Sequence, residues 1–449
     1  MDKEYEDNKA SVTEYPVTIE LLRPGVFIKI TGIGWMDHPF IMNSFKIANE
    51  GQIKVLRQLG LKSVVFVPGK SDVFPLPERK GNAMPAPQTK IEDPETERLF
   101  QMKKQRIEHQ RVHRRKIKAC EKKFSASVQT VKNVMRNIEG GRLESVKDAD
   151  MLLQNLIEDL LVEKDTAVQL MNTDAGGESV FYHSLNVSVL ALMLGREQGL
   201  EKDDLRILGL GALFHDSGKH RVPKNVLFKT TPLTKFEMDI LRLHPLYGVE
   251  TMKPLVEKGL FPSDALWIIQ DHHERIDGSG YPAGRTGKTL SDATKIVSIV
   301  NRYDNLCNNV NAEKSLTPHE ALAYMFAKEQ DKYDKNLLQR FISYLGVYPP
   351  GTIVRLNNEV LGLVVSVNPN NSLRPSLLIY DPEIPKTEAL IFDLAEDTTL
   401  SITATMRPSQ LPREVYDYLS PRARVTYFLA SQDDQQSGSS ANSPQRKPK

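Results

Sequence analysis

Two short segments concentrate side chains able to bind metal. One reads His215-Asp216-Ser217-Gly218-Lys219, the other His272-His273-Glu274-Arg275-Ile276-Asp277-Gly278-Ser279-Gly280-Tyr281-Pro282. Vicinal histidines and a His-Asp pair each put two metal-competent groups into one small volume. Of the chain's 10 histidines, His183, His215, His244, His272 and His273 all fall between residues 183 and 273. A His-Asp pair at a helix end lets the carboxylate bridge two cations while the imidazole binds one of them. Such a pair of cations polarises a phosphoryl oxygen and makes hydroxide available near neutral pH. Five imidazoles and one bridging carboxylate suffice for two metals with open positions, and this donor set suits iron, manganese or zinc better than magnesium. Any one of these histidines alone reads as an ordinary core or surface residue. His109, His113 and His319 have no partner pattern and read as surface, and His220 is expected to point away from the pair.

The elements that must position these groups read as helices. Ser184–Gly195, Asp203–His215 and Asp264–Asp271 each carry an apolar stripe at helical period. Thr234-Lys235-Phe236-Glu237 fits a capping box, which predicts a helix carrying His244 in its later turns. Ser291-Asp292 precedes a further helix through Asn301 to Leu306. The expected fold is mainly α: an all-helical domain over 126–348, with a small α+β module over 1–77 and a β-rich segment over 349–430. In the first module Val17, Ile19 and Leu21 alternate as a strand, Val26–Ile30 forms a second, Ile53–Leu59 a helix and Ser63–Val67 a buried strand. A linker and basic helix fill 78–125, with 10 Lys or Arg between Lys103 and Lys123 against Glu108 and Glu121. Such a basic helix could bind RNA or an anionic surface, but it reads first as a solvated connector that would support a homodimer or a signalling partner. Helical patterning resumes over Val128–Leu170, and the polar tail 431–449 is expected to be disordered.

Composition narrows the function classes. The 449 residues carry a net charge of +2, with 40% hydrophobic and 26% charged residues, so no global field points to a nucleic-acid partner. Cys120 and Cys307 are too few for a disulfide framework or a thiolate metal site. The acidic N-terminus lacks the features of a secretion signal, and no apolar run approaches the ~20 residues of a membrane span. A cytoplasmic enzyme is expected.

The long double motif resembles that of the HD-GYP family, helical phosphohydrolases of the HD superfamily that degrade cyclic di-GMP. Pro223, Lys229, Leu233-Thr234 and His244-Pro245 also match its wording, and the likeness covers roughly residues 150–348. Trp35-Met36-Asp37-His38-Pro39-Phe40 resembles a domain often found ahead of HD-GYP. The resemblance implies two divalent cations, iron or manganese. His183, His215 and Asp216 would hold the first, with Asp216 bridging to a second held by His244, His272 and His273. It implies Lys219 against a phosphate oxygen or the nucleophile, Arg275 on a phosphate or guanine edge, and Gly280, Tyr281 and Pro282 in a ligand-binding loop. The bland alternative for Gly280 and Pro282 is a tight turn. Two departures stand out. Asn301 occupies the place where the family carries an aspartate ligand, and Ser179, beside Glu178, replaces a glutamate found in members with a third metal. The implied reaction is hydrolysis of cyclic di-GMP to the linear dinucleotide, with GMP as a further product. A degenerate protein that binds the nucleotide or a partner without efficient hydrolysis is the first alternative, and a hydrolase for another cyclic dinucleotide the second.

Overall fold

The computed structural model describes residues 14–34, 37–40, 42–77, 94–162, 168–170, 179–309, 311–367, 371–382, 384, 386, 389, 391–396, 400–420 and 427–429. The chain divides into two compact units. One comprises residues up to 111 with the short pieces 356–360 and 379–390; the other comprises the rest.

In the first unit β1 (Tyr15–Thr18), β2 (Phe27–Lys29), β3 (Ser44–Lys46) and β4 (Ser63–Phe66) form a sheet of order β1-β4-β2-β3, and α1 (Glu50–Gln58) supplies its helix. Val17, Ile28, Ile47, Ile53, Leu56 and Val64 share one core. Asn49 caps α1 by accepting from Gln52 N, and Gly60 closes it at φ +72°, a conformation glycine adopts without Cβ strain. The alternation expected through Leu21 stops at Thr18, because Ile19–Leu21 turns into a 3-10 helix before Pro24-Gly25.

Helix α2 (Pro94–Glu139) is continuous through 46 residues, where two helical segments had been expected. Its C-terminal part buries Cys120, Phe124, Val128, Val131 and Ile138 in the core of the second unit. The side chains at 109–118, in the basic run, lie outside the described residues, as do 78–93 and the tail 431–449. The predicted helix over Val128–Leu170 is broken. Gly141, at φ +81°, ends α2, and α3 (Val146–Val162) follows after a 3-10 turn. Residues Val168–Leu170 form strand β5.

The helical core is then built by α4 (Ser179–Glu197), α5 (Lys202–Phe214), α6 (Lys224–Leu227), α7 (Lys235–Leu241), α8 (His244–Glu257), α9 (Ala265–Asp271), α10 (Asp292–Cys307), α11 (Pro318–Glu329) and α12 (Lys335–Leu345). The capping box at Thr234 and Glu237 is present, yet α7 ends before His244, which instead opens α8. A capping box fixes where a helix starts and says nothing about where it stops. Strands β6 (Ile353–Leu356), β7 (Leu361–Ser366), β8 (Ser376–Ile379), β9 (Ile391–Asp393) and β10 (Ile402–Met406) make a sheet of order β10-β6-β7-β8-β9. After α13 (Arg413–Leu419), strand β11 (Tyr427–Leu429) pairs antiparallel with β5, Tyr427 opposite Leu170. The expected all-helical domain therefore contains a two-stranded ribbon formed by segments distant in sequence. Among the described residues no helix is long and apolar enough to cross a membrane. Both cysteines are buried and free of disulfides.

Candidate metal centre

Helix ends bring the histidines together. His215 follows the last residue of α5, His272 follows that of α9, and His244 comes three residues after α7. Last-turn carbonyls have no intrahelical donor, and each of these histidines uses one. His215 Nδ1 donates to Ala212 O at 2.7 Å, His244 Nδ1 to Leu241 O at 2.7 Å and His272 Nδ1 to Ile269 O at 2.8 Å. A carbonyl can only accept, so the proton sits on Nδ1 and the lone pair on Nε2. His183 lies within α4, where the preceding carbonyls serve the helix, and its Nδ1 donates to the Asp304 carboxylate at 2.5 Å.

All four Nε2 atoms face Asp216. Its Oδ2 is 3.5 Å from His183 Nε2 and 3.3 Å from His215 Nε2; its Oδ1 is 3.3 Å from His244 Nε2 and 3.7 Å from His272 Nε2. Donor atoms of His183, His215 and Asp216 form one group within 4.8 Å of one another, and those of Asp216, His244, His272 and His273 form a second. Residues expected from two distant motifs thus converge on the two oxygens of one carboxylate.

The donor chemistry fits divalent cations. His183 Nε2 and His215 Nε2 are 3.2 Å apart, as are His244 Nε2 and His272 Nε2. With each Nδ1–H committed elsewhere, the Nε2 lone pairs face one another across these gaps. Burial, then the facing His215 and His244 rings, hold His272 well below the ordinary histidine range; burial, then His272 and His244, do the same to His273. Asp216 Oδ1 is buried and accepts no hydrogen bond. Burial alone would raise the Asp216 carboxyl, but the neighbouring His215 and Lys219 outweigh it and hold the group well below the carboxylate range. An anionic oxygen among imidazole lone pairs is a set that cations complete.

Of the remaining expected residues, Lys219 and Tyr281 contact this centre directly. Lys219 lies on the 3-10 helix Ser217–Arg221 and donates to Asp216 Oδ2 at 2.5 Å. Tyr281 stacks on His273 at 4.6 Å between centroids, with the Arg242 guanidinium 5.5 Å from its ring. Gly280 packs against backbone: a Cβ there would stand 2.5 Å from Arg275 N and 2.6 Å from His273 O. Glycine is therefore required by close approach. Pro282 follows a cis peptide bond in the same loop. Arg275 is partly buried, its guanidinium 3.5 Å from Ser279 Oγ. Asn301 is buried on α10, and its side-chain oxygen accepts from Asn305 Nδ2 at 2.6 Å. Glu178 and the Ser179 side chain lie outside the described residues. His220 is exposed, bonded to Ser217 O. Beside Asp216, Ser217 and Lys219 opens a cavity of about 170 Å³, walled by Phe181, Phe214 and Met252.

Two roles were not readable from the sequence, where Asp304 stands out only as an acid on the same helix face as Asn301. Asp304 orients His183, a contact across 121 positions. Glu274, fully buried, accepts from Ala283 N at 2.7 Å and Arg285 N at 2.9 Å, clamping the Gly280-Tyr281-Pro282 loop to the end of α9. Its place beside the vicinal histidines was the available signal.

Fold and site define a helical HD-type protein, and comparison with known proteins agrees. Residues 155–337 match the HD domain, and residues 16–149 match a domain of unknown function, DUF3391. The chain therefore carries an HD domain preceded by a DUF3391 domain. It is 26% identical over 365 residues to the cyclic di-GMP phosphodiesterase PA4108 of Pseudomonas aeruginosa, covering 81% of this chain and 84% of that protein. The response regulator RpfG of Xanthomonas campestris pv. campestris, a cyclic di-GMP phosphodiesterase, is 33% identical over 159 residues, 35% of this chain and 41% of its own length. The 3'3'-cGAMP-specific phosphodiesterase 1 of Vibrio cholerae is 29% identical over 152 residues, 34% of each chain.

Proposed function

We propose that this chain is a metal-dependent phosphodiesterase that hydrolyses cyclic di-GMP to the linear dinucleotide, and to GMP where the second link is also cut. The observation carrying this reading is the convergence of imidazole lone pairs on both oxygens of Asp216. His183, His215, Asp216 and Asn301 would hold one cation and Asp216, His244, His272 and His273 a second, with iron or manganese best suited to the donor set. Bound there, the cations would polarise a phosphoryl oxygen and lower the pKa of water. Lys219 then gives up Asp216 Oδ2 and turns its ammonium to a phosphate oxygen. Arg275 offers a planar fork to phosphate or a guanine edge, and Tyr281, stacked on His273, orients the ligand. The apolar-walled cavity beside Asp216 suits the flat face of a base. Two cysteines free of disulfides accord with work in the cytoplasm. The boundaries 1–77, 78–125, 126–348 and 349–430 remain our working division for this activity.

Metal analysis with a turnover assay tests this. Wild type loaded with iron(II) or manganese is expected to bind two ions and cleave cyclic di-GMP, and Asp216→Asn to lose at least about 10³-fold in turnover. Wild type that never cleaves it, under conditions where Asn301→Asp does, sinks the reading for the native chain. A second reading, nucleotide or partner binding without efficient hydrolysis, is favoured by Asn301, whose uncharged oxygen is already engaged by Asn305. It expects cyclic di-GMP affinity with substoichiometric metal. Cleavage of another cyclic dinucleotide in preference would redirect the substrate assignment alone.

A further inference from the structure

The path from His183 does not stop at Asp304. Asp304 Oδ1 accepts from Asn186 Nδ2, one turn beyond His183 on α4. Asn186 Oδ1 in turn accepts from the backbone N–H of Tyr427 at 2.7 Å. Tyr427 belongs to β11, paired with β5, and is fully buried; its hydroxyl meets the Tyr303 hydroxyl at 2.8 Å and donates to Pro350 O at 3.2 Å. Tyr303 is the neighbour of Asp304 on α10. Strand β11 therefore grips both ends of the Asn186–Asp304 pair, the amide through its backbone and α10 through the phenol.

This arrangement has a specific chemical effect. A carboxamide binding two fixed partners has one orientation, oxygen to the Tyr427 N–H and nitrogen to Asp304. The oriented amide holds Asp304 Oδ1 together with Asn308 Nδ2, which donates to the same oxygen at 2.8 Å, and this leaves Oδ2 aimed at His183 Nδ1. His183 is then locked with its proton on Nδ1 and its lone pair toward Asp216. His215, His244 and His272 obtain this from helix-end carbonyls and need no such support.

We propose that strand β11, through the Tyr427 N–H and Asn186, is a positioning element for His183, setting its tautomer and hence the affinity of the His183–His215–Asp216 side of the centre. The inference rests on the two-cation reading for its metal arm but not for its tautomer arm.

The test compares wild type, Asn186→Leu and Tyr427→Pro, the last removing the donating N–H, all in the full chain. In metal-free protein labelled with ¹⁵N-histidine, the His183 ring, assigned with His183→Gln, is expected as a single Nδ1–H tautomer in wild type and as a mixture in both variants. Titration with manganese is expected to show one of two sites weakened about 10- to 100-fold in the variants, with the second unchanged. An unaltered His183 tautomer with both sites intact would overturn the proposal. So would equal loss of both sites together with the cooperative melt, because β11 would then support the fold rather than His183. Absence of manganese binding by wild type would count against the two-cation reading, and the tautomer comparison would still decide the role of β11.

Discussion

Asp271 stands next to His272 but serves neither side of the centre. It is buried and 3.3 Å from Arg285 Nε, and its Oδ1 accepts no hydrogen bond. Burial, reinforced by Glu274 and opposed by Arg285, pushes its pKa up to about 6. The native state thus holds this proton more tightly than the unfolded chain. The cost of ionising Asp271 is absent below about pH 4 and is fully felt above about pH 6, so it lowers stability as pH rises through that window. Metal-free Asp271→Asn should melt higher than wild type at pH 7.5, by on the order of 1 kcal/mol after allowance for solvent screening, and the gap should close by pH 4. A gap independent of pH would assign the effect to something other than the carboxylate. At this scale the sequence was most legible where a residue type is itself rare chemistry: the His-Asp pair and the vicinal histidines come together as their types suggest. The roles of Asp304 and Glu274 were not legible, because carboxylates are common and their partners, His183 and the backbone at 283–285, are settled only by packing.

Helix ends do the positioning, and one glycine lets two of them meet. A Cβ on Gly218 would stand 2.1 Å from His244 O and 2.3 Å from Gly248 N, so the turn after Asp216 lies directly on the backbone of α8. Gly218→Ala must push α8 away and carry His244 from Asp216 Oδ1. The expected result is a destabilisation of about 1–3 kcal/mol in a denaturant melt, with weakened manganese binding on the His244 side; unchanged binding would show that the turn yields without moving His244. Periodicity and capping residues disclosed α4, α5, α9 and α10 and the start of α7. They could not disclose that α7 stops short of His244, since that break depends on where α8 must begin to face Asp216. Nor could they disclose the β5–β11 ribbon, whose partners lie at opposite ends of the helical unit's sequence.

The core of the second unit draws on more chain than the HD match alone. Cys120, Phe124, Val128, Val131 and Ile138 of α2 are buried in it, as are Val146, Ala149 and Leu153 of α3. A fragment starting at residue 155 would lose α2 and half of α3, exposing a face whose burial contributes ~1.5–3 kcal/mol per large side chain. We expect a fragment from residue 112 to melt cooperatively and bind manganese, and one from residue 155 to do neither; cooperative melting of the shorter piece would show that α2 is dispensable to this core. The broad architecture was readable because helical stripes and short strands differ in period, whereas the reach of α2 into the core depends on which side of a long charged helix is covered. The two ways of aiming histidines have a final, evolutionary corollary. Three imidazoles are aimed by peptide carbonyls, which no single-residue change can delete, while His183 is aimed by a side chain on α10, one turn from Asn301. Substitutions on a single helix face can therefore detune one half of the centre and leave the other half whole.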